Sequence, residues 1–210
     1  MKLHLGSGPV ILAGWVNIDV RPYPGVDRVV DVCEGLPFEQ VSHIFAEHFI
    51  EHFELEDALR IVRECRRVLA DDGVLRLTTP NLDWVWATSY ASRWTATSDT
   101  TAIIDIASWR HDDAAARDCL TLNRGFRAWG HKFLYNAAML TELLHRAGFA
   151  KLEWCDYGTS KHAALTGLEH HERSPDSPTL PHILIVEASG RAEETARIDI
   201  TEYVRDLGVE

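Results

Sequence analysis

The segment "LHLGSGPVILAGWVNID", residues 3–19, limits what this chain can fold into more than any other. An apolar run enters a Gly-Ser-Gly turn, and a second apolar run ends on an acid, Asp19. Strand, glycine turn, strand and acid is the layout of a nucleotide site in a parallel α/β sheet. Glycine lets the backbone approach a ligand closely, turn N–H groups point into the site, and a carboxylate at the next strand's end accepts ribose hydroxyls. Gly6, Ser7, Gly8 and Asp19 supply that set. Yet the gap from Gly8 to the second strand near Trp15 is too short for the long helix that usually follows such a loop. The third glycine of a dinucleotide fingerprint is missing, since Pro9 and Val10 come next. Asp19 follows Gly6 by 13 residues, not the roughly twenty of that pattern. An NAD-dependent oxidoreductase is therefore disfavoured.

Downstream, "DRVVDV" and "VSHIFAEHF" read as further strands, the latter ending near Ala46 or Glu47. "ELEDALRIVRECRRVLADDG" has apolar residues at the helical period, acids leading and arginines trailing, with Gly73 in the position of a C-terminal cap. "VLRLTTP" is a fifth strand. "NAAMLTELLHRAGF" is a second clear helix, capped by Gly148. "AKLEWCDYG" and "HILIVEAS" close the pattern as strands joined without a helical crossover, an antiparallel pair. Strands alternating with helices predict an α/β fold with a parallel sheet. The first 190 residues form one domain, in which 82–130 is a substrate-selecting insert or cap. Residues 191–210 are a charged tail with helical character.

The net charge of −11 disfavours a nucleic-acid partner, because phosphate binding needs a basic surface. No apolar run is long enough to span a bilayer. No export signal precedes the first strand, so the four scattered cysteines read as reduced thiols of a cytoplasmic protein.

Two stretches carry candidate chemistry. "EHFIEH" holds Glu47, His48, Glu51 and His52; if helical, Glu47/Glu51 and His48/His52 each share a face. Its order is not the His-Glu-x-x-His of zinc peptidases, and no metal is assigned. "RGFRAWGHKFLYN" holds Arg124, His131 and Tyr135 before the late helix. Here His131 is a candidate base or substrate anchor, Tyr135 a packing or acceptor-bonding residue, and Arg124 a clamp for an acidic group. Trp84, just beyond the fifth strand, is a candidate cleft wall, and "LEHHERSPDSP" reads as a solvated loop.

The ordered motifs resemble the class I S-adenosylmethionine (SAM)-dependent methyltransferases. More narrowly, they are similar to small bacterial members in which the glycine turn leads directly into a Gly-Trp-x-Asn-x-Asp strand, here "GWVNID", with the first helix abbreviated. The resemblance covers most of residues 2–188 and is weakest between Asp83 and Gly125. It implies a single-domain Rossmann-like methyltransferase fold, a seven-stranded, mostly parallel sheet with an antiparallel terminal strand. It also implies SAM as cofactor and S-adenosylhomocysteine as product. The cofactor residues it implies are Gly6, Ser7, Gly8, Asp19, Asp31, Val32, Glu47 and His48, with Asp31 and Val32 approaching adenine and Glu47 and His48 under the methionine end. His131, His48 and Tyr135 are the catalytic candidates; Trp84, Arg124, His131 and Tyr135 face the acceptor. The acceptor is a small molecule or a sugar-bearing one, methylated on a hydroxyl oxygen. A small amine acceptor, a SAM-binding sensor or partner subunit without methyl transfer, and a homodimer all stay open.

Overall fold

The computed structural model describes residues 1–89, 113–171 and 180–206. Seven strands form one sheet in the order β3-β2-β1-β4-β5-β7-β6. They are β1 (Lys2–Leu5), β2 (Val16–Asp19), β3 (Arg28–Val29), β4 (Val41–Glu47), β5 (Leu69–Pro80), β6 (Phe149–Trp154) and β7 (Ile183–Arg191). β3 through β5 pair in parallel, and β7 inserts antiparallel between β5 and β6. This is the mostly parallel, seven-stranded sheet expected. The third strand shrinks to two residues, a short edge that offers little to a neighbouring chain.

The helices are α1 (Leu55–Val68), α2 (Leu82–Ser89), α3 (Asp113–Arg127), α4 (Ala137–Arg146) and α5 (Thr201–Asp206). The part of the presumed insert at 90–112, with Trp94 and Trp109, lies outside the described residues, as do residues 172–179 of the polar loop and 207–210 of the tail. α4 starts where the Asn136 side chain accepts the Met139 N–H (2.9 Å) and ends at Gly148 (φ 81°), as its sequence predicts. α1 does not end at Gly73. It stops at Val68, and β5 starts at once with Leu69. The β4–β5 register then jumps from Val41↔Leu69 to His43↔Val74. Gly73 sits in that bulge, where a Cβ would come within 2.8 Å of the Val41 carbonyl. Close backbone approach, not helix termination, explains this glycine.

Period-two alternation gives the sheet two unlike faces. Leu3, Leu5, Ile18, Ile44, Ala46, Leu75, Leu77 and Val186 join α1 and α4 in one apolar core. The opposite face carries His4, Asn17, Phe45, Arg76 and Glu187, all buried. No helix separates β1 from β2; residues 6–15 are turns. What covers this face is a small cluster of Trp15, Phe45, Val74 and Leu165, joined by Leu12 and Leu168, contributed partly by the β6–β7 connection. That connection is fastened by Arg76, whose Nε donates to Glu169 Oε1 (2.7 Å) and Nη1 to Glu187 Oε1 (2.6 Å). All four cysteines are free thiols. No helix among the described residues is long and apolar enough to cross a membrane.

Candidate active site

The glycine turn beyond β1 is set by its backbone. Gly6 and Gly8 have φ of 63° and 52°, a region glycine enters without penalty. At Gly6 the requirement is double, because a Cβ there would overlap the ring of Phe49. Ser7 is buried, and its N–H donates to the Ile18 carbonyl (3.0 Å). The Gly8 N–H donates to Asp19 Oδ2 and the Arg21 N–H to Asp19 Oδ1, both at 2.8 Å. The Ser7 and Gly8 amides, expected to face a cofactor, are used inside the fold. Asp19 keeps free lone pairs on both oxygens.

Asn17 does the work of the shortened helix. Its side chain accepts the Leu12 N–H (2.9 Å) and donates to the carbonyls of Leu12 (3.2 Å) and Trp15 (3.3 Å) and to Asp27 (3.1 Å). His4 Nδ1 lies 3.1 Å from the Asn17 oxygen. The "GWVNID" strand thus divides its labour: Trp15 covers the sheet, Asn17 staples the turn, and Asp19 closes it.

Beyond β3, Asp31 caps a 3-10 turn at Val32–Glu34, accepting the Cys33 N–H (2.9 Å). The strand ends and this turn border a cleft of about 610 Å³, a size that suits a nucleoside-type cofactor. Gly6, Asp19, Asp31, Val32 and His48, five of the expected cofactor residues, line it. So do Arg21, Tyr23, Phe49, His52, Phe53, Trp129 and Lys132, none of which sequence reasoning assigned to the site. His52 lies in "EHFIEH" and Trp129 and Lys132 in "RGFRAWGHKFLYN", both singled out above, and the clustering of Phe49 and Phe53 with histidines after a strand is a further hint.

Other expectations fall elsewhere. Glu47 points to the second sheet face, accepting the N–H groups of His170 (3.0 Å) and His171 (3.2 Å) and pairing with His171 Nδ1 (3.3 Å). It clasps a loop and does not line the cleft. Tyr135 is 0% exposed with its hydroxyl unpartnered; burial, reinforced by nearby Glu51, pushes the phenol's pKa upward. It is a core residue under the site, out of an acceptor's reach. Trp84 packs edge-on against His182, 5.9 Å away, away from the cleft lining. Arg124 lies over Trp129 at 5.1 Å, backing a cleft wall without entering it. Tyr157 and Lys161 have the spacing of a short-chain oxidoreductase pair. However, the Tyr157 hydroxyl donates to the Glu169 and His171 carbonyls and Lys161 pairs with Glu153, outside the cleft lining.

The "EHFIEH" stretch is not a helix. β4 continues to Glu47, His48 turns left-handed (φ 46°), and Ile50–His52 is a single 3-10 turn. The pairing is therefore i, i+3: His48 Nδ1 to Glu51 Oε1 at 3.1 Å. Glu51 also accepts the Thr79 hydroxyl (3.1 Å). His131 reaches the same region: its Nδ1 lies 2.9 Å from the Gly125 carbonyl, and its ring is 5.3 Å from that of His52.

The Glu47–His171 clasp carries a pH signature. Burial alone would raise Glu47, but hydrogen bonds from the His171 ring and the His170 and His171 amides outweigh it and hold the carboxyl below its usual range. Donating that hydrogen bond to Glu47 raises His171 above 6.5. Glu47's share of the clasp is present above its unfolded pKa and lost as pH falls through the lowered one. The share of His171 is complete below 6.5 and lost as pH rises through the raised one. An NMR titration of the His171 ring is expected to give a midpoint above 6.5 that falls back in Glu47→Gln.

Residues 12–77 match a family model described as a methyltransferase domain. A search of curated proteins finds no match. Among solved structures, a protein from Bordetella parapertussis, described as a possible exported protein, matches with a TM-score of 0.52 at 11% identity, over 91% of this chain and 62% of that one. A SAM-dependent methyltransferase from Thermotoga maritima, described as a possible histamine N-methyltransferase, gives 0.51 at 11% identity, over 90% and 82%. DhpI, solved with S-adenosylhomocysteine, gives 0.50 at 14% identity, over 90% and 76%. The chain spans less than two thirds of the first of these and 46% of a polyketide synthase methyltransferase domain that also matches. With its strand order, the chain shares the fold of these SAM-dependent methyltransferases, and its residues 12–77 resemble the methyltransferase domain.

Proposed function

We propose that this chain binds SAM in the cleft at the carboxyl ends of β1, β2 and β4 and transfers its methyl group to a hydroxyl of a small or sugar-bearing molecule. The observation that carries the reading is Asp19: a carboxylate at a strand tip, fixed by two backbone N–H groups, with lone pairs left for a ribose diol. The cleft fits the group in other respects. The turn of Val32–Glu34 offers backbone beside Asp31 for a base, and Phe49 and Phe53 supply apolar surface near Gly6. When bound, SAM supplies an electrophilic methyl on a sulfonium centre. The protein then has to hold the acceptor in line and manage its proton.

The histidine-bearing end of the cleft suits that task. His48, which lines the cleft, is oriented by the buried Glu51; its Nε2 is buried, without a hydrogen-bond partner, and its ring lies 4.1 Å from that of His171. His131 stands behind His52, outside the cleft lining, with its Nδ1 donating to the Gly125 carbonyl. Trp129, 66% exposed on the cleft rim, offers a flat surface to a sugar or an aromatic ring.

Calorimetric titration with S-adenosylhomocysteine, with NAD as the parallel control, tests the reading. Micromolar binding of the first and none of the second is expected. Asp19→Ala should weaken that binding about tenfold or more, through lost charge-assisted hydrogen bonds. Asp19→Asn, which keeps an acceptor for the turn, separates loss of ribose contacts from loss of the turn itself. Unchanged affinity in both variants would remove Asp19 from the site. Cofactor binding without turnover on any acceptor would leave a SAM-binding partner or sensor.

A further inference from the structure

Glu51, His52 and His131 each bring a ligand-capable atom within 4.8 Å of the other two. We propose that these three side chains hold a divalent transition-metal cation of the zinc type behind the cleft wall that His52 lines. Its binding stands on the geometry alone; its purpose, activating an acceptor hydroxyl, rests on the methyl-transfer reading.

The donor set comes first. Two imidazoles and one carboxylate suit zinc and its borderline neighbours and discriminate against magnesium and calcium, which take oxygen ligands. Three protein ligands also leave a position open for water or substrate, the pattern of reactive zinc sites.

Charge is the second argument. The Glu51 side chain is 0% exposed, and among the described residues its one ion-pair partner is His48. A carboxylate removed from water without a lysine or arginine beside it calls for another cation. The Tyr135 hydroxyl, fully buried and without a hydrogen-bond partner, lies in the same electrostatic neighbourhood.

Third, the candidate ligands are already aimed from behind. The His131 Nδ1 bond to the Gly125 carbonyl fixes the tautomer that exposes Nε2. Glu51 is held by Thr79 and His48. Metal-binding imidazoles and carboxylates are oriented by such outer hydrogen bonds. The two segments are also stitched together, since the Lys132 and Phe133 N–H groups both donate to the Glu51 carbonyl (2.8 and 3.2 Å). The left-handed pair Trp129 and Gly130 (φ 60° and 82°) turns the chain so that His131 faces His52.

Bonds of ~2.0–2.2 Å hold tetrahedral ligand atoms ~3.3–3.6 Å apart, so atoms no more than 4.8 Å apart have at most ~1.2–1.5 Å to close on binding. Rotation of the half-buried His52 and His131 rings provides that movement. A hydroxyl in the open position becomes more acidic. Its O–H bond breaks, the proton passes to water, and the electron pair stays on oxygen. That pair forms the new bond to carbon as the carbon–sulfur bond breaks and its electrons return to sulfur.

The test uses the full chain stripped with EDTA, without SAM. Zn2+ is titrated by calorimetry, Co2+ by visible absorption, and Mg2+ in parallel. The expected result is one Zn2+ or Co2+ per chain, with Co2+ bands of four- or five-coordinate geometry and far weaker Mg2+ binding. His52→Ala and His131→Ala should each weaken Zn2+ by more than the ~10–100-fold that loss of an outer hydrogen-bond partner causes. Glu51→Gln, which keeps the shape of the buried side chain, should do likewise, with thermal melts reporting folding. No stoichiometric Zn2+ or Co2+ binding to the parent, or undiminished binding in the His52→Ala/His131→Ala double variant, overturns the proposal. S-adenosylhomocysteine titration of the same stripped protein reports on the cofactor separately, so either reading can fail alone.

Discussion

Arg76→Met is expected to destabilise the protein by about 3–5 kcal/mol, the cost of leaving buried charge without its partner. Arg76 is completely buried, and so are the side chains of Glu169 and, nearly, Glu187, which it joins. Removing the guanidinium strands two carboxylates between the sheet and the β6–β7 connection. For a chain of this length the melting temperature should fall by roughly 6–20 °C. Replacing all three residues with apolar ones of similar volume should recover most of that loss, because the ion pairs themselves contribute little beyond their mutual compensation. A single variant that melts with the parent would mean that the two acids are solvated or protonated and that this connection is not fastened by charge.

Gly6→Ala should have the second-largest effect, and it falls on the cleft. A left-handed backbone opposes any Cβ by roughly 1–2 kcal/mol, and the new methyl also overlaps the Phe49 ring, adding about 1–3 kcal/mol of overpacking. Phe49 can move only by disturbing Phe53, whose ring centroid is 4.9 Å away, and both rings line the cleft. Affinity for S-adenosylhomocysteine should therefore fall together with stability. Phe49→Ala combined with Gly6→Ala should relieve the clash but not the backbone strain. A melt and a titration on the double variant separate the two, and a Gly6→Ala protein with parental stability would show that the turn is not held as described.

The helical periods of "ALRIVREC" and "AAMLTELL" and the alternation of the strands were legible because they are local. The errors arose where a residue's partner is distant or its backbone is unusual. Glu47 was expected to face the cofactor because it ends a strand, but alternation turns it to the other sheet face, where residues 170 and 171 receive it. No periodicity announces a partner so far along the chain. Glu51 and His52 could not be placed because the i, i+4 spacing presumed a helix, whereas the left-handed His48 resets the stretch to i, i+3. Gly73 looked like a cap because it follows an arginine-rich helix end, yet a bulge put it in a strand. Asn17 had no recognised role, since a staple of backbone groups leaves no mark in composition or period.

The missing helix between β1 and β2 has a consequence for how the molecule assembles. The cover for the second sheet face comes from near the end of the chain: Leu165, Leu168 and Glu169 meet strands that begin at residue 2. A nascent chain carrying only the first five strands would have its cofactor turn in place but the sheet behind it bare, with Phe45, Val74 and Arg76 open to water. Loop-closure entropy delays such pairings, and exposed sheet surface meanwhile invites aggregation. The cleft therefore becomes a finished site late in folding, and its maturation is set by residues that lie outside its lining.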